Sequence, residues 1–419
     1  MTREPRSIAA PVIWQYARAA LTALLLCGGL AGCAASSTAP PPPSHPTASS
    51  ADEGATNASF AESTQSPQAP AERALDPDER ALNEACGESD SALRAVARHL
   101  AEPQTDAERE LDVDAISYDL RAAGAPYVWP RAWLFSGSEG EVEAAKTRMQ
   151  RWLASFSDGG VRRCGVALVH QAGKRISVGA VAVDALADLE PLATRVRIGQ
   201  WLELRATLRV PASEAKLVVM GPRGAPHPVP TSFSDGKVRA RFNADQPGAW
   251  LVQLLGNVEG GPRPLLEALL FAGSEPPRGL DVVQAPGEEE ARSVSDPRAA
   301  LFQMVNAARA SERLAPLEAD ARLADLAQSH AEAMRRARKT AHDAGDGDLN
   351  RRLELLGLEL SAGENVAHAG TVTLAQRALW ASPSHRENLL FSRFDLLGVG
   401  VAPDADGTLW VCQVFASAH

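Results

Sequence analysis

Imidazole and carboxylate are the side chains that can share a divalent ion or pass a proton near neutral pH. Three of them stand in short polar islands within the otherwise apolar, helical stretch from Thr340 to Leu390: Ala341-His342-Asp343, Gly363-Glu364-Asn365-Val366, and Ser382-Pro383-Ser384-His385-Arg386-Glu387-Asn388-Leu389-Leu390. His342 lies 22 residues before Glu364, and His385 lies 21 after it. No local His-x-x-x-His pattern joins them, so spacing leaves open whether they meet. Two imidazoles and a carboxylate plus water would complete a tetrahedral zinc shell with an open position, whereas two imidazoles alone would hold the ion weakly. No serine, cysteine or threonine nucleophile with an adjacent base is legible: Ser382 and Ser384 flank a proline, and Cys412 falls in an apolar strand. Hydrolysis here would need the metal.

The elements that must position these residues begin at Asp296-Pro297, which suits an N-cap followed by proline at the first helical position. Apolar spacing predicts helices over 299–310, 320–338, 347–356 and 373–381, then strands around Gly398 to Ala402 and Leu409 to Phe415. His342 follows the basic helix end Arg335-Arg336-Ala337-Arg338-Lys339 and by spacing reads as a helix-terminal histidine. Glu364 is either a ligand or a carboxylate holding amides of its own loop, and Asn365 reads as a loop-fixing amide. His385 either caps a helix start or faces the site. His330 shares a helical face with Leu323, Leu326, Ala327 and Met334, which is a core position, and His368 is an extra candidate ligand.

The ordered set Val305-Asn306-Ala307-Ala308-Arg309, Leu317, Leu323-Leu326-Ala327, His342, Gly363-Glu364-Asn365, Trp380, Ser382 to Leu390, Gly398-Val399-Gly400 and Leu409-Trp410-Val411 spans residues 297 to 419. It resembles the bacterial branch of the CAP superfamily of cysteine-rich secretory, antigen 5 and pathogenesis-related proteins. The resemblance implies an α-β-α sandwich whose cleft gathers His342, Glu364 and His385 as metal ligands, with zinc as the cofactor. Asn365, Arg386 and Asn388 are assigned to the cleft lining. Plant and animal members carry a second acidic residue three positions after the tryptophan matching Trp380, and here that position is Pro383. The His-Glu-Glu-His set is thus reduced to three, with Glu387 a poor substitute. The family mostly lacks an agreed catalytic activity, which favours binding over turnover.

The N-terminus carries an address. Arg3, Arg6 and Arg18 precede the apolar run Ala19 to Leu26, and Leu30-Ala31-Gly32-Cys33 closes it, a signal-peptide layout over residues 1–32 rather than a spanning helix. The last four residues resemble the bacterial lipobox, which implies cleavage before Cys33 and its acylation, with Ala34 favouring the outer membrane. Acyl chains contributing about 0.8 kcal/mol per buried methylene make such an anchor lasting. Residues 33–71 are nearly all Ala, Ser, Thr and Pro, an unfolded tether. The formal charge is −10, and −12 from Cys33 onward, which argues against a nucleic-acid partner. In an oxidising envelope Cys86 and Cys164 could pair and leave Cys412 a buried thiol; three reduced, buried cysteines are the alternative.

The chain is therefore expected to be α+β and multidomain. Residues 72–186 form an α+β domain in which Asp90-Ser91-Ala92-Leu93, Gly124, Trp152 and Cys164-Gly165-Val166-Ala167 match Asp320-Ala321-Arg322-Leu323, Gly357, Trp380 and Leu397-Gly398-Val399-Gly400. That is either a degenerate CAP-like copy, five residues short where Ser382 to Leu390 would sit, or an unrelated domain. Residues 187–273 alternate with period two, as in Leu202, Leu204, Ala206 and Leu208, and turn signals divide them into six or seven strands of an immunoglobulin-like sandwich. Residues 274–296 read as a linker. Three functions fit: an envelope lipoprotein whose cleft binds a metal, a small ligand or an extracellular partner without turnover; a zinc-dependent hydrolase acting on peptide or envelope polymer; or an adhesive rod.

Overall fold

Five helices in this chain start where an aspartate accepts from the first free amides, which have no partner within the helix. Asp76, Asp90, Asp296, Asp320 and Asp348 do this ahead of Pro77–Glu84, Ser91–Ala101, Pro297–Ser311, Ala321–Ala337 and Leu349–Leu355. The computed structural model describes residues 13–16, 75–102, 113–157, 159–259, 261–277 and 283–417. The acylation site expected at Cys33 and the expected tether lie outside the described residues, as does the expected leader apart from Ile13–Tyr16, which pairs antiparallel with Ser361–Ala369. No helix among the described residues is long and apolar enough to cross a membrane.

The protein is α+β and multidomain. In the first domain the sheet runs Glu88–Ser89, Val161–Gln171, Arg175–Ala185, Arg131–Ser138, with the two-residue strand parallel to its neighbour and the rest antiparallel. Alternate residues serve opposite faces: Cys164, Val166, Leu168, Ala180 and Ala182 pack with Leu82, Met149 and Trp152, while Ala167, Val181 and Val183 pack with Leu93, Val96, Ala97 and Leu120. Both faces are covered, so the strands read as continuous apolar runs. Cys86 and Cys164 form a disulfide, Cα atoms 5.8 Å apart. Cys412 is free and buried.

The central domain is a pair of sheets, antiparallel except where Arg195–Val196 runs parallel to Gly261–Ala272, around one core that contains Leu204, Leu217, Phe242, Trp250 and Leu254. The alternation seen in the sequence holds: Leu202, Leu204 and Ala206 are buried, as are Val238, Ala240 and Phe242. Among the described residues nine strands, not six or seven, run from Ala187–Leu189 to Gly261–Ala272, because short segments such as Arg195–Val196 and His227–Val229 join as edges too brief to show a period.

The C-terminal sheet runs Ser361–Ala369, Leu409–Ser417, Leu396–Pro403, Glu318–Ala319, again with the short strand parallel. Helix Ala321–Ala337 rests directly on strand backbone at Gly398 and Gly400, where an added Cβ would overlap the Leu323 and Ala327 main chain. Helices Pro297–Ser311, Val372–Ala381 and Pro383–Leu390 cover the other face through Met304, Leu379 and Leu389. The stretch read as a linker is not wholly free: Ala285 and Ala291 enter this core, and Glu288 pairs with Arg377.

Candidate functional site

Strand Ser361–Ala369 positions both halves of the site. Side chains along it alternate faces, with Ala362 and Val366 in the core beneath Ala321–Ala337 and Ala367 in the opposite core. Glu364 therefore joins the first face and Asn365 the second. The sequence reading of this island as a loop is corrected: all of Ala362 to Ala367 are buried, so no alternation of polar and apolar residues marked it as a strand. Gly363 is required where a Cβ would lie 2.9 Å from Asn388 Oδ1 and 3.0 Å from Phe394.

On the first face Glu364 accepts from His342 Nδ1 and from Arg352 Nη2, each at 2.7 Å. Arg352 also donates to the carbonyls of His342 and Gly347, both at 3.0 Å, so one guanidinium ties the histidine loop to the carboxylate. Burial alone opposes charge on Glu364, yet the Arg352 guanidinium, with His330 and His342, holds its carboxyl well below the usual range. Burial pushes His342 down against the pull of Glu364, so the ring is neutral at pH 7. Its Nδ1–H faces the carboxylate, and Nε2 is a buried acceptor with no hydrogen-bond partner among the described residues. His330 is buried as the sequence indicated, between Asp346 Oδ2 at 2.8 Å and the Ala341 carbonyl at 2.9 Å. The Cys412 thiol, 3.5 Å from Glu364 Oε2, is raised by burial and is no nucleophile.

On the second face a run of buried carboxamides takes over. Asn365 Nδ2 donates to the His385 carbonyl at 3.2 Å, Asn388 Nδ2 donates to Asn365 Oδ1 at 2.9 Å, and Gln413 Nε2 donates to Gln376 Oε1 at 2.8 Å. His385 Nδ1 lies 2.7 Å from Ser382 Oγ. This corrects the expectation that no serine has a base beside it. The contact is nevertheless local, between the residue before a helix and its first turn, and Ser382 Oγ also lies 3.4 Å from Gln253 Nε2.

His342 and Glu364 thus meet, while His385 is held in the neighbouring set with Asn365 and Ser382. Among the described residues no group of three His, Cys, Asp or Glu side chains is placed to hold a metal. The three-donor zinc shell does not fit these side chains, because both oxygens of Glu364 are already committed. Asn388 Nδ2 locks the strand to helix Pro383–Leu390 through Asn365 Oδ1 and the Glu364 carbonyl, while Asn388 Oδ1 is buried with no hydrogen-bond partner among the described residues. Arg386 lies over Trp380, 3.7 Å from its ring, and donates to its carbonyl. Glu387 turns to Lys216 of the central domain at 3.0 Å, and His368 stacks on Trp410 and meets Thr408 Oγ1 at 2.9 Å.

The sequence missed Arg352 and Gln253. Arg352 left a signal: it follows Leu349 by three and precedes Leu353, on the apolar side of its helix, whereas Arg351 faces out. Gln253 left none, since Ser382 and Ser384, the partners that tie it to the site, come from another domain.

Residues 302–414 match the model of the cysteine-rich secretory protein family, CAP. Similar solved structures include an outer surface protein from Borrelia burgdorferi, 20% identical, covering 30% of this chain and 95% of that one with a TM-score of 0.28. An extracellular protein containing an SCP domain from Bacillus anthracis is 18% identical, covering 55% and 88%, with a TM-score of 0.27. A cysteine-rich secretory protein from Staphylococcus aureus is 16% identical, covering 55% and 86%, with a TM-score of 0.26. No curated protein matches the chain.

Proposed function

With a CAP domain of the cysteine-rich secretory protein family over residues 302–414 as the premise, we propose that this chain is an envelope-displayed binding module whose C-terminal cleft takes a ligand without turnover. The observation that carries this is His342: a buried ring, fixed by Glu364 and Arg352 in one tautomer, with Nε2 left as an acceptor for a donor that no described residue supplies. Glu364 is the orienting carboxylate. A zinc hydrolase would need it as a ligand, and the Arg352 pairing removes it from that role, so no metal step is assigned.

The rest of the chain displays this domain. Cys33, closing Leu30-Ala31-Gly32-Cys33, is the acylation site and the outer membrane the destination, with residues 34–71 as reach. The central pair of sheets is an immunoglobulin-like spacer. The first domain is a degenerate second copy of the CAP sandwich, supported by matched details: both sheets order their strands alike, Asp90 and Asp320 cap equivalent helices and donate their amides to Cys164 and Leu397, and Gly124 and Gly357 end equivalent helices with positive φ. In register, Ala132 stands where Glu364 does, so the copy has no site chemistry.

The test is metal content, zinc affinity and hydrolysis of peptide and envelope-polymer substrates by wild type, His342→Ala and His385→Ala, with a thermal-shift screen of small polar ligands. Ligand-induced shifts lost in His342→Ala, without turnover, are expected. Stoichiometric zinc lost in both variants, together with turnover that chelation abolishes, would replace this reading with the hydrolase.

A further inference from the structure

Helix Pro383–Leu390 begins in an unusual way. A serine before a helix ordinarily accepts from the amides of the first turn, but Ser382 makes no such bond. Its hydroxyl is turned to His385 Nδ1 at 2.7 Å. The amide it leaves, Ser384 N–H, is taken from a different domain: it donates to Gln253 Oε1 at 3.2 Å. Gln253 is fully buried in strand Gly248–Val258 of the central domain. Its own Nε2 donates to Glu267 Oε1 at 2.7 Å, and the other oxygen of Glu267 pairs with Arg121 of the first domain. Three residues past Ser384, Glu387 pairs with Lys216, whose ammonium is lowered by burial and pulled back up by that carboxylate. The central sandwich therefore grips the His385 helix at two points one turn apart.

We infer that Gln253 is a positioning residue of the cleft: by capping the Ser384 amide it releases Ser382 to hold the His385 ring. The domain read as a spacer is thereby a working part of the site. Without Gln253 the Ser384 amide would be buried and unpaired, and the cheapest repair is for Ser382 to return to ordinary capping and let go of His385. The inference rests on the proposed cleft only for its use, since every contact in it is independent of a ligand.

The test uses the full chain with 15N-labelled histidine, comparing wild type, Gln253→Met, Gln253→Glu with Glu267→Gln, and Ser382→Ala. Gln253→Met is expected to move the His385 Nδ1 signal to its position in Ser382→Ala while His342 stays in place; Gln253→Glu, made together with Glu267→Gln so that an amide still faces a carboxylate, keeps an acceptor for Ser384 and is expected to leave His385 unmoved. A His385 signal unchanged in Gln253→Met, with only a lower melting temperature, would reduce Gln253 to packing and overturn the inference. Hydrogen exchange on wild type decides the matter where Gln253→Met does not fold. The Ser384 amide should exchange at least about tenfold more slowly than free first-turn amides, the worth of one buried bond, and unprotected exchange there would sink the proposal. None of these readouts requires ligand, so a failed ligand screen and a failed inference are told apart.

Discussion

Replacing Arg352 by methionine should reverse the pH dependence of the C-terminal domain. In the wild type the folded Glu364 carboxyl lies below its unfolded value of 4.5. The stability it contributes is therefore present above that value and is lost only as pH falls through the depressed folded one. Arg352→Met removes the guanidinium at 2.7 Å and the two carbonyl bonds, leaving a fully buried carboxylate with the His342 ring as its remaining hydrogen-bonded imidazole. Stranding one member of a buried pair costs about 3–5 kcal/mol. Burial then raises the folded carboxyl above 4.5, so the variant loses stability as pH rises from there toward neutrality. The cost should shrink in mild acid to about 1–3 kcal/mol for the unpaired carbonyls. Arg352→Met/Glu364→Gln should recover much of the difference at pH 7.5. Because a multidomain chain does not unfold in one step, the assay is hydrogen exchange of the Ser361–Ala369 amides at pH 5 and pH 7.5 under rising urea. Parallel pH slopes in variant and wild type, or a neutral-pH cost under about 1 kcal/mol, would refute the assignment of Arg352 as the group that keeps Glu364 charged.

Reduction, or Cys86→Ser with Cys164→Ser, should destabilise the first domain by about 4 kcal/mol, the loop entropy for a separation of 78 residues, and calorimetry should show the C-terminal transition unmoved. Gly398→Ala should cost at least about 1–3 kcal/mol, because the new methyl overlaps helix main chain that cannot rotate away; a melting temperature within a degree or so of wild type would contradict the close seam. Glu288 is held low chiefly by its hydrogen bonds with Arg377, so its contribution is present above the unfolded value of 4.5 and lost as pH falls through the folded one. Glu288→Gln should accordingly flatten the acid limb of melting temperature against pH.

What the sequence disclosed was whatever depends on neighbours along the chain. The N-caps at Asp90 and Asp296, the alternation through Leu202, Leu204 and Ala206, and four C-terminal helices within a residue or two all report local rules, whereas the helix Pro383–Leu390 was not among those read from spacing. Strand Ser361–Ala369 was hidden because a strand buried on both faces has no period to see. The site was half legible: His342 and Glu364 do meet, but no spacing says that an arginine on the next short helix will claim the carboxylate. The Gln253 contact, 131 residues from Ser384, is beyond any pattern read along one strand.

The bare seams between helix and strand recur in two domains. Gly165 sits against Leu93 and Arg94 just as Gly398 sits against Leu323 and Ala324, and the register position held by Glu364 in one sheet is held by Ala132 in the other. In each seam a hydrogen atom stands where a methyl would overlap helix main chain, so any larger side chain is shut out there whatever chemistry the neighbouring strand carries.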